Sequence, residues 1–317
     1  MKNTAAVISI GTNSTRMLLV DFAGKRFGFF GERSIRIVKA RSTGTRVGEG
    51  LRATGYLGEE PMRRTLEVVQ AYTDALRGHT ERLSIISTSA LRRASNASDF
   101  THNIRKITGC NLHILDGKDE AAASFRGAVT SLDESENDRI GVIDAGGGST
   151  EYAVGEREHA DQTVSCEIGA VRLTELFPGL AGENGFVDNQ TLDDARAKAR
   201  ELLEPVTSLS TATQIALVGG SATSALALSR GHRGPFGDEG LSREKLRALL
   251  NLLCELPLEK RRTVPGMNPQ RADILPAGML IIDTALELLG HDCATVSDTD
   301  LLFGYLLLER EGGAYHP

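Results

Sequence analysis

The hydrophobic pattern begins with a short apolar run, Val7–Ile10, then a turn of small and hydroxyl residues, Gly11–Thr15, then a second run, Met17–Val20. Apolar runs flanking a turn rich in glycine and hydroxyls predict a β-hairpin. The same pattern returns 135 residues later, where Val142–Ala145, Gly146–Thr150 and Tyr152–Val154 follow in the same order. Val7–Thr15 aligns on Val142–Thr150 without a gap and matches at five of nine positions. Two copies at this distance predict two similar halves, not two unrelated domains.

The rest of the chain alternates strand and helix. Met62, Leu66, Val69 and Leu76 fall on one face of a helix over Glu59–Arg77, with Gly78 placed to end it. A strand at Leu83–Thr88, a helix through Phe100, Ile104 and Ile107 stopped by Gly109, a strand at Leu112–Leu115 and a helix from Asp119 follow. In the second half the pattern predicts helices at Leu192–Leu203, Ser242–Leu256, Arg271–Leu289 and Leu301–Glu309, with strands at Gln214–Val218 and Ala294–Ser297. Hairpins opening mixed sheets, covered by crossover helices, make this an α/β protein.

Composition narrows the class. The 317 residues are 40% apolar and 25% charged, which excludes disorder, collagen and a disulfide scaffold. The longest apolar stretch, Ile274–Leu289, is interrupted by Asp283 and Glu287 and falls short of a membrane span. No targeting segment is visible, so the expected location is cytoplasmic, with no membrane partner. Cys110, Cys166, Cys254 and Cys293 lie far apart with no paired spacing, so they are expected to act as small core hydrophobes. No basic run or aromatic platform for nucleic acid is present. Charge is uneven: residues 1–118 carry 19 Lys and Arg against 10 Asp and Glu, and residues 119–317 carry 17 against 32. A basic half and an acidic half are read in two ways, as a cleft that draws in an anion beside a carboxylate-held metal or as random surface charge.

The chemistry concentrates in the turns. Glycine, serine and threonine let backbone N–H groups converge on an anion without obstruction, so Gly11, Thr12, Asn13, Ser14 and Thr15, and Gly146, Gly147, Gly148, Ser149 and Thr150, are candidate phosphate-binding residues. Asp144 and Glu151 flank the second turn, where a magnesium ion bridging phosphate oxygens would find carboxylates. A third turn, Gly219–Thr223, aims a helix N-terminus either at more phosphate or at close packing. Arg92 emerges at a strand end, suited to clamp phosphate, and Glu120 stands in a first helical turn ahead of Ala121, Ala122 and Ala123. A carboxylate there either orients and deprotonates water or stabilises the helix dipole.

Together these segments resemble the exopolyphosphatase and guanosine pentaphosphate phosphohydrolase (Ppx/GppA) family in its short, two-domain form. The resemblance rests on Gly11–Thr15, Thr88–Arg92, Gly117–Ala121, Ile143–Glu151, Glu167–Leu173, Gly219–Thr223, Pro265-Gly266 and Pro269–Asp273. It implies two similar RNase H-like domains of the actin, Hsp70 and sugar-kinase type around an interdomain cleft. These would comprise residues 1–118 with 299–317, and residues 119–298. It also implies cleavage of the terminal phosphoanhydride of polyphosphate or of pppGpp by metal-assisted attack of water. Glu120 would be the general base, Arg92 a phosphate contact, and Asp144 and Glu151 the ligands of Mg2+ or another divalent cation.

Two positions depart from the family pattern. Ser9 stands where the family has Asp and where the repeat itself has Asp144, and Leu302 and Phe303 replace an arginine and a glutamate. Ser9 motivates an alternative reading, a polyphosphate- or alarmone-binding protein with weak or no hydrolysis. An ATP-dependent kinase of the same fold is a third reading, opposed by the match at Glu120 and Arg92. The helix from Leu301 is apolar nearly all round, which fits burial within one chain or a homodimer.

Overall fold

Both hairpins form. β1 (Thr4–Ile10) pairs antiparallel with β2 (Thr15–Asp21), Ile10 facing Thr15. The computed structural model describes residues 3–22, 35–80, 82–132, 138–156, 158–183, 185–234 and 239–312. These residues fall into two units, Met1–Asp116 with Tyr305–Pro317, and Gly117–Gly304.

In the first unit β3 (Arg36–Thr43) extends the hairpin, and β4 (Leu83–Ser87) and β5 (Leu112–Ile114) add parallel strands, giving the order β3-β2-β1-β4-β5. A parallel neighbour requires a crossover. The helix Glu59–Leu76 supplies one between β3 and β4, and Ala97–Thr108 another between β4 and β5. Val69, Tyr72, Leu76, Phe100 and Ile104 from these helices close a core over Ile8, Ile10, Met17, Leu19 and Ile85.

The second unit repeats the plan. Its strands are β6 (Arg139–Ala145), β7 (Thr150–Glu156), β8 (His159–Cys166), β9 (Gln214–Val218), β10 (Glu239–Ser242) and β11 (Cys293–Val296). The order β8-β7-β6-β9-β11 reproduces the first sheet strand for strand, and β10 joins antiparallel at the far edge.

Strand alternation decides which side chains meet the chemistry. Ile143, Ala145, Tyr152, Val154 and Leu217 point into a core shared with Ala195, Leu226, Leu250 and Ile282. Their sequence neighbours Val142, Ala153, Ala216 and Val218 pack on the opposite face against Ala121, Phe125 and Ala128 of the helix Gly117–Ala128. Because successive residues of a strand face opposite ways, Asp144 and Glu151 share that second face with the Glu120-bearing helix.

Several expectations need correction. The helix expected from Arg271 begins at Leu275, because Pro269–Arg271 forms a separate 3-10 turn and Pro276, lacking an N–H, is tolerated only in a first turn. The pattern gave no sign of β3 or β8. β3 is an edge strand whose side chains are mostly exposed, and β8 is a polar edge strand. Of the cysteines, Cys166 and Cys254 are buried, but Cys110 is only half-buried and Cys293 is exposed. No described helix is long and apolar enough to cross a membrane. Leu301–Leu307 are buried within this single chain, the first of the two readings of that helix.

Candidate active site

Three carboxylates of the second unit act on one another. Glu120 is 6% exposed, Asp144 9% and Glu151 2%. Asp144 and Glu151 are directly opposed across the β6–β7 ladder. Burial, and then the negative charges of Glu120 and Asp144, raise the Glu151 carboxyl well above its ordinary range, against hydrogen bonds from Ser165 and Ser149 that favour its charged form. Like charges gathered out of water destabilise one another unless a cation or proton neutralises them.

Hydroxyls hold the carboxylates in place. Ser124 Oγ donates to Asp144 Oδ2 at 2.7 Å, and Ser165 Oγ donates to Glu151 Oε1 at 2.7 Å. Two glycines permit the approach. A Cβ on Gly117, the first residue of the Glu120 helix, would lie 2.5 Å from Ser165 Cβ. At Gly219, φ is +83° and a Cβ would lie 2.5 Å from Asp144 Oδ1. The third glycine turn is thus accounted for in part by close packing, the second of its two readings.

The second turn lies beside these carboxylates. Gly146 N–H closes it onto Ser149 O at 3.0 Å. The carbonyls of Gly146 and Gly147 accept from Ala170 and Val171 N–H, each at 2.9 Å, and Thr150 Oγ1 donates to Ile168 O at 2.6 Å. With the carbonyls so engaged, the Gly147 and Gly148 amides donate to no group among the described residues. Adjacent backbone amides of this kind favour an anion.

The first unit builds the same turn independently. Gly11 N–H reaches Ser14 O at 3.0 Å, and the carbonyls of Thr12 and Asn13 accept from Gly48 and Arg46 N–H. Thr15 Oγ1 lies 2.8 Å from Thr45 Oγ1, and Ser87 Oγ donates to Ile10 O at 2.7 Å, much as Ser221 Oγ donates to Ala145 O in the second unit. The Thr12 and Asn13 amides likewise have no acceptor among the described residues, and the buried Asn13 Oδ1 and Ser89 Oγ have no hydrogen-bond partner there. Arg92 is anchored by Nη1 donating to Leu115 O at 2.7 Å. Ser9 is buried at the position equivalent to Asp144, so the first turn has no carboxylate at that place.

The donor set of the second unit fits a divalent cation of a particular kind. Among the described residues no three His, Cys, Asp or Glu side chains form a ready-made ligand set. Magnesium takes one or two carboxylates and completes its shell with water and substrate oxygens, which Asp144 and Glu151 can satisfy. A cation there would also relieve the repulsion that raises Glu151.

Of the expected site residues, the second unit brings together Glu120, Asp144, Glu151 and the Gly146–Thr150 turn. Within the first unit, the Gly11–Thr15 turn forms at the end of β1 beside β4, the strand that leads to Arg92. Sequence reasoning missed Ser124 and Ser165. Ser124 stands four residues after Glu120, a same-face spacing that would have exposed it, whereas Ser165 lies on a strand the pattern did not predict.

The chain matches the Ppx/GppA phosphatase family over residues 30–309. It is 34% identical to exopolyphosphatase 2 of Mycobacterium tuberculosis over 323 residues, covering 95% of this chain and 97% of that protein. It is 28% identical to a bifunctional 3-dehydroquinate synthase/phosphatase of Fusobacterium nucleatum over 319 residues, covering 95% of this chain but 46% of that protein, about half its length. The solved Ppx/GppA enzyme of Aquifex aeolicus superposes with a TM-score of 0.76 at 26% identity, over 96% of this chain and 98% of that one. The expected pair of actin-like α/β domains is therefore the fold observed.

Proposed function

Because this chain belongs to the Ppx/GppA phosphatase family, we propose that it removes the terminal phosphate of inorganic polyphosphate, with pppGpp as a second substrate, by attack of water at the acidic site of its second unit. What supports this reading is the burial of Glu120, Asp144 and Glu151, the last two directly opposed across β6 and β7, beside a turn whose inner amides have no acceptor among the described residues. Phosphoryl transfer asks the protein for positioning and charge neutralisation more than for covalent work. Glu120 orients the attacking water and accepts its proton. The amides of Gly147 and Gly148 donate to phosphoryl oxygens, and in the first unit those of Thr12 and Asn13, with the Arg92 guanidinium, bind phosphate. Asp144 and Glu151 would hold Mg2+ or a similar cation, which when bound supplies positive charge to the phosphate oxygens. Supplying polyphosphate and pppGpp separately with Mg2+ and measuring orthophosphate tests the proposal; release from neither would overturn it.

Ser9 favours a second reading, a binder that hydrolyses slowly. On that reading Ser9→Asp, which restores the carboxylate present at Asp144, raises phosphate release by about tenfold, the scale on which ligand-sphere changes act. An unchanged rate in Ser9→Asp dismisses it.

Gly117→Ala tests the placement of Glu120. The added methyl must push the helix start away from Ser165. Displacement of a catalytic group by about 1 Å costs roughly a hundredfold, so turnover is expected to fall by that order while thermal unfolding stays cooperative. A folded Gly117→Ala protein with full turnover would show that this contact does not position Glu120.

A further inference from the structure

The two serines that grip the carboxylates carry a consequence for metal choice. A serine inside a helix ordinarily turns its hydroxyl back to the carbonyl four residues earlier, which for Ser124 is that of Glu120. Ser124 instead reaches Asp144 Oδ2. Ser165 faces Glu151 across the β7–β8 ladder, donates to Oε1 and is confined by Gly117. A hydroxyl has one proton to give, and in both serines it goes to a carboxylate. Each carboxylate oxygen keeps a second lone pair, but the oxygen drawn toward a serine proton is poorly aimed for a two-oxygen clasp, so the hydroxyl bond favours ligation through the other oxygen. Calcium takes six to eight oxygens and favours two-oxygen carboxylates, whereas magnesium requires a compact octahedron with one oxygen from each.

We propose that Ser124 and Ser165 are positioning residues that restrict Asp144 and Glu151 to single-oxygen ligation, so that the site selects magnesium over calcium. The inference rests on the reading that these carboxylates hold a divalent cation. Calorimetric titration of the substrate-free full chain with MgCl2 and with CaCl2 tests it, with Mn2+ resonance as a competition readout. The unaltered protein is expected to prefer magnesium. Ser124→Ala and Ser165→Ala are each expected to lower magnesium affinity by about tenfold, the scale of an outer-sphere partner. Calcium affinity should change by less than about threefold, so the preference narrows by several-fold. Thermal unfolding shows whether the variants fold. Should an alanine variant fail to do so, Ser→Cys, which keeps the branching of the side chain but donates weakly, is expected to narrow the preference in the same direction. Magnesium binding to the unaltered protein with an unchanged preference in folded variants overturns this inference and leaves the cation reading standing. If the unaltered protein binds neither ion, the cation reading falls, and this inference with it.

Discussion

Glu120→Gln is expected to lower phosphate release by roughly a hundredfold or more, the scale of losing a general base. Glutamine keeps the size and hydrogen-bonding reach of glutamate but cannot accept the proton of the attacking water. The loss should therefore fall on kcat, with KM changed little. Folding should not suffer. Glu120 is buried beside like charges, and removing its charge relieves part of what raises Glu151, so the cation-free variant should unfold no earlier than the parent. A rate equal to that of the parent would remove Glu120 from the mechanism and return it to the helix-dipole role that its first-turn position equally allows.

The largest effect on stability is expected at Asp283, which lies far from this chemistry in the chain. It is 1% exposed and accepts from Arg196 Nη1 at 2.6 Å, Arg243 Nε at 3.0 Å and Arg247 Nε at 3.0 Å. Glu287, one turn on, accepts from Arg200, Arg243 and Arg247 at 2.5, 2.7 and 3.2 Å. Each of the three helices contributes two charged residues four apart, the spacing that aligns them on one face. Asp283→Ala takes away the shared acceptor of three arginines whose side chains reach water to different extents, Arg247 the most and Arg243 the least. Because the arginines reach water and Glu287 still accepts from Arg243 and Arg247, the loss is that of hydrogen bonds to a charged group, about 1.5–3 kcal/mol. At roughly 2–4 °C per kcal/mol for a unit of this size, the second unit should melt about 3–12 °C earlier, a shift readable by calorimetry. A change of only one or two degrees would mean that the arginines find other partners.

The same cluster sets an acid sensitivity. Burial pushes the Asp283 carboxyl upward, but hydrogen bonds from Arg196, Arg247 and Arg243 outweigh it and leave the group below its usual range. Glu287 is also lowered, chiefly by its hydrogen bond from Arg200. A depressed folded-state value means that the unfolded chain binds the proton more readily. The stabilisation is therefore complete above the ordinary carboxylate range near pH 4 and is lost as the pH falls through the lowered values. Asp283→Ala should accordingly flatten the acid side of the stability profile. An acid limb identical to that of the parent would count against the assignment.

These residues mark how far the sequence could be read. Asp283 and Glu287 stood out as charges interrupting an apolar stretch, and that sufficed to argue against a membrane span. Nothing in the pattern named Arg196, Arg200, Arg243 and Arg247 as their partners, because pairings across 36 to 87 residues leave no local periodicity. β8 escaped notice for a similar reason. Its side chains carry little apolar alternation, and it exists as a strand because β7 offers a backbone edge to pair with. Ser165 was missed along with it.

What the amino-acid order alone determined was the part governed by short-range rules. The duplicated apolar runs and glycine turns specified two like halves. The strand-and-helix alternation specified α/β layering, and the placement of Asp144, Glu151 and Glu120 beside small residues identified candidate carboxylates. Tertiary structure alone decided that those three carboxylates meet. The parity of β6 and β7 turns Asp144 and Glu151 to the face covered by the Glu120 helix, and Gly117 lets that helix approach Ser165. Their mutual repulsion, and the hydroxyl bonds that restrain it, arise from burial and proximity across long sequence separations, which no single stretch of residues contains.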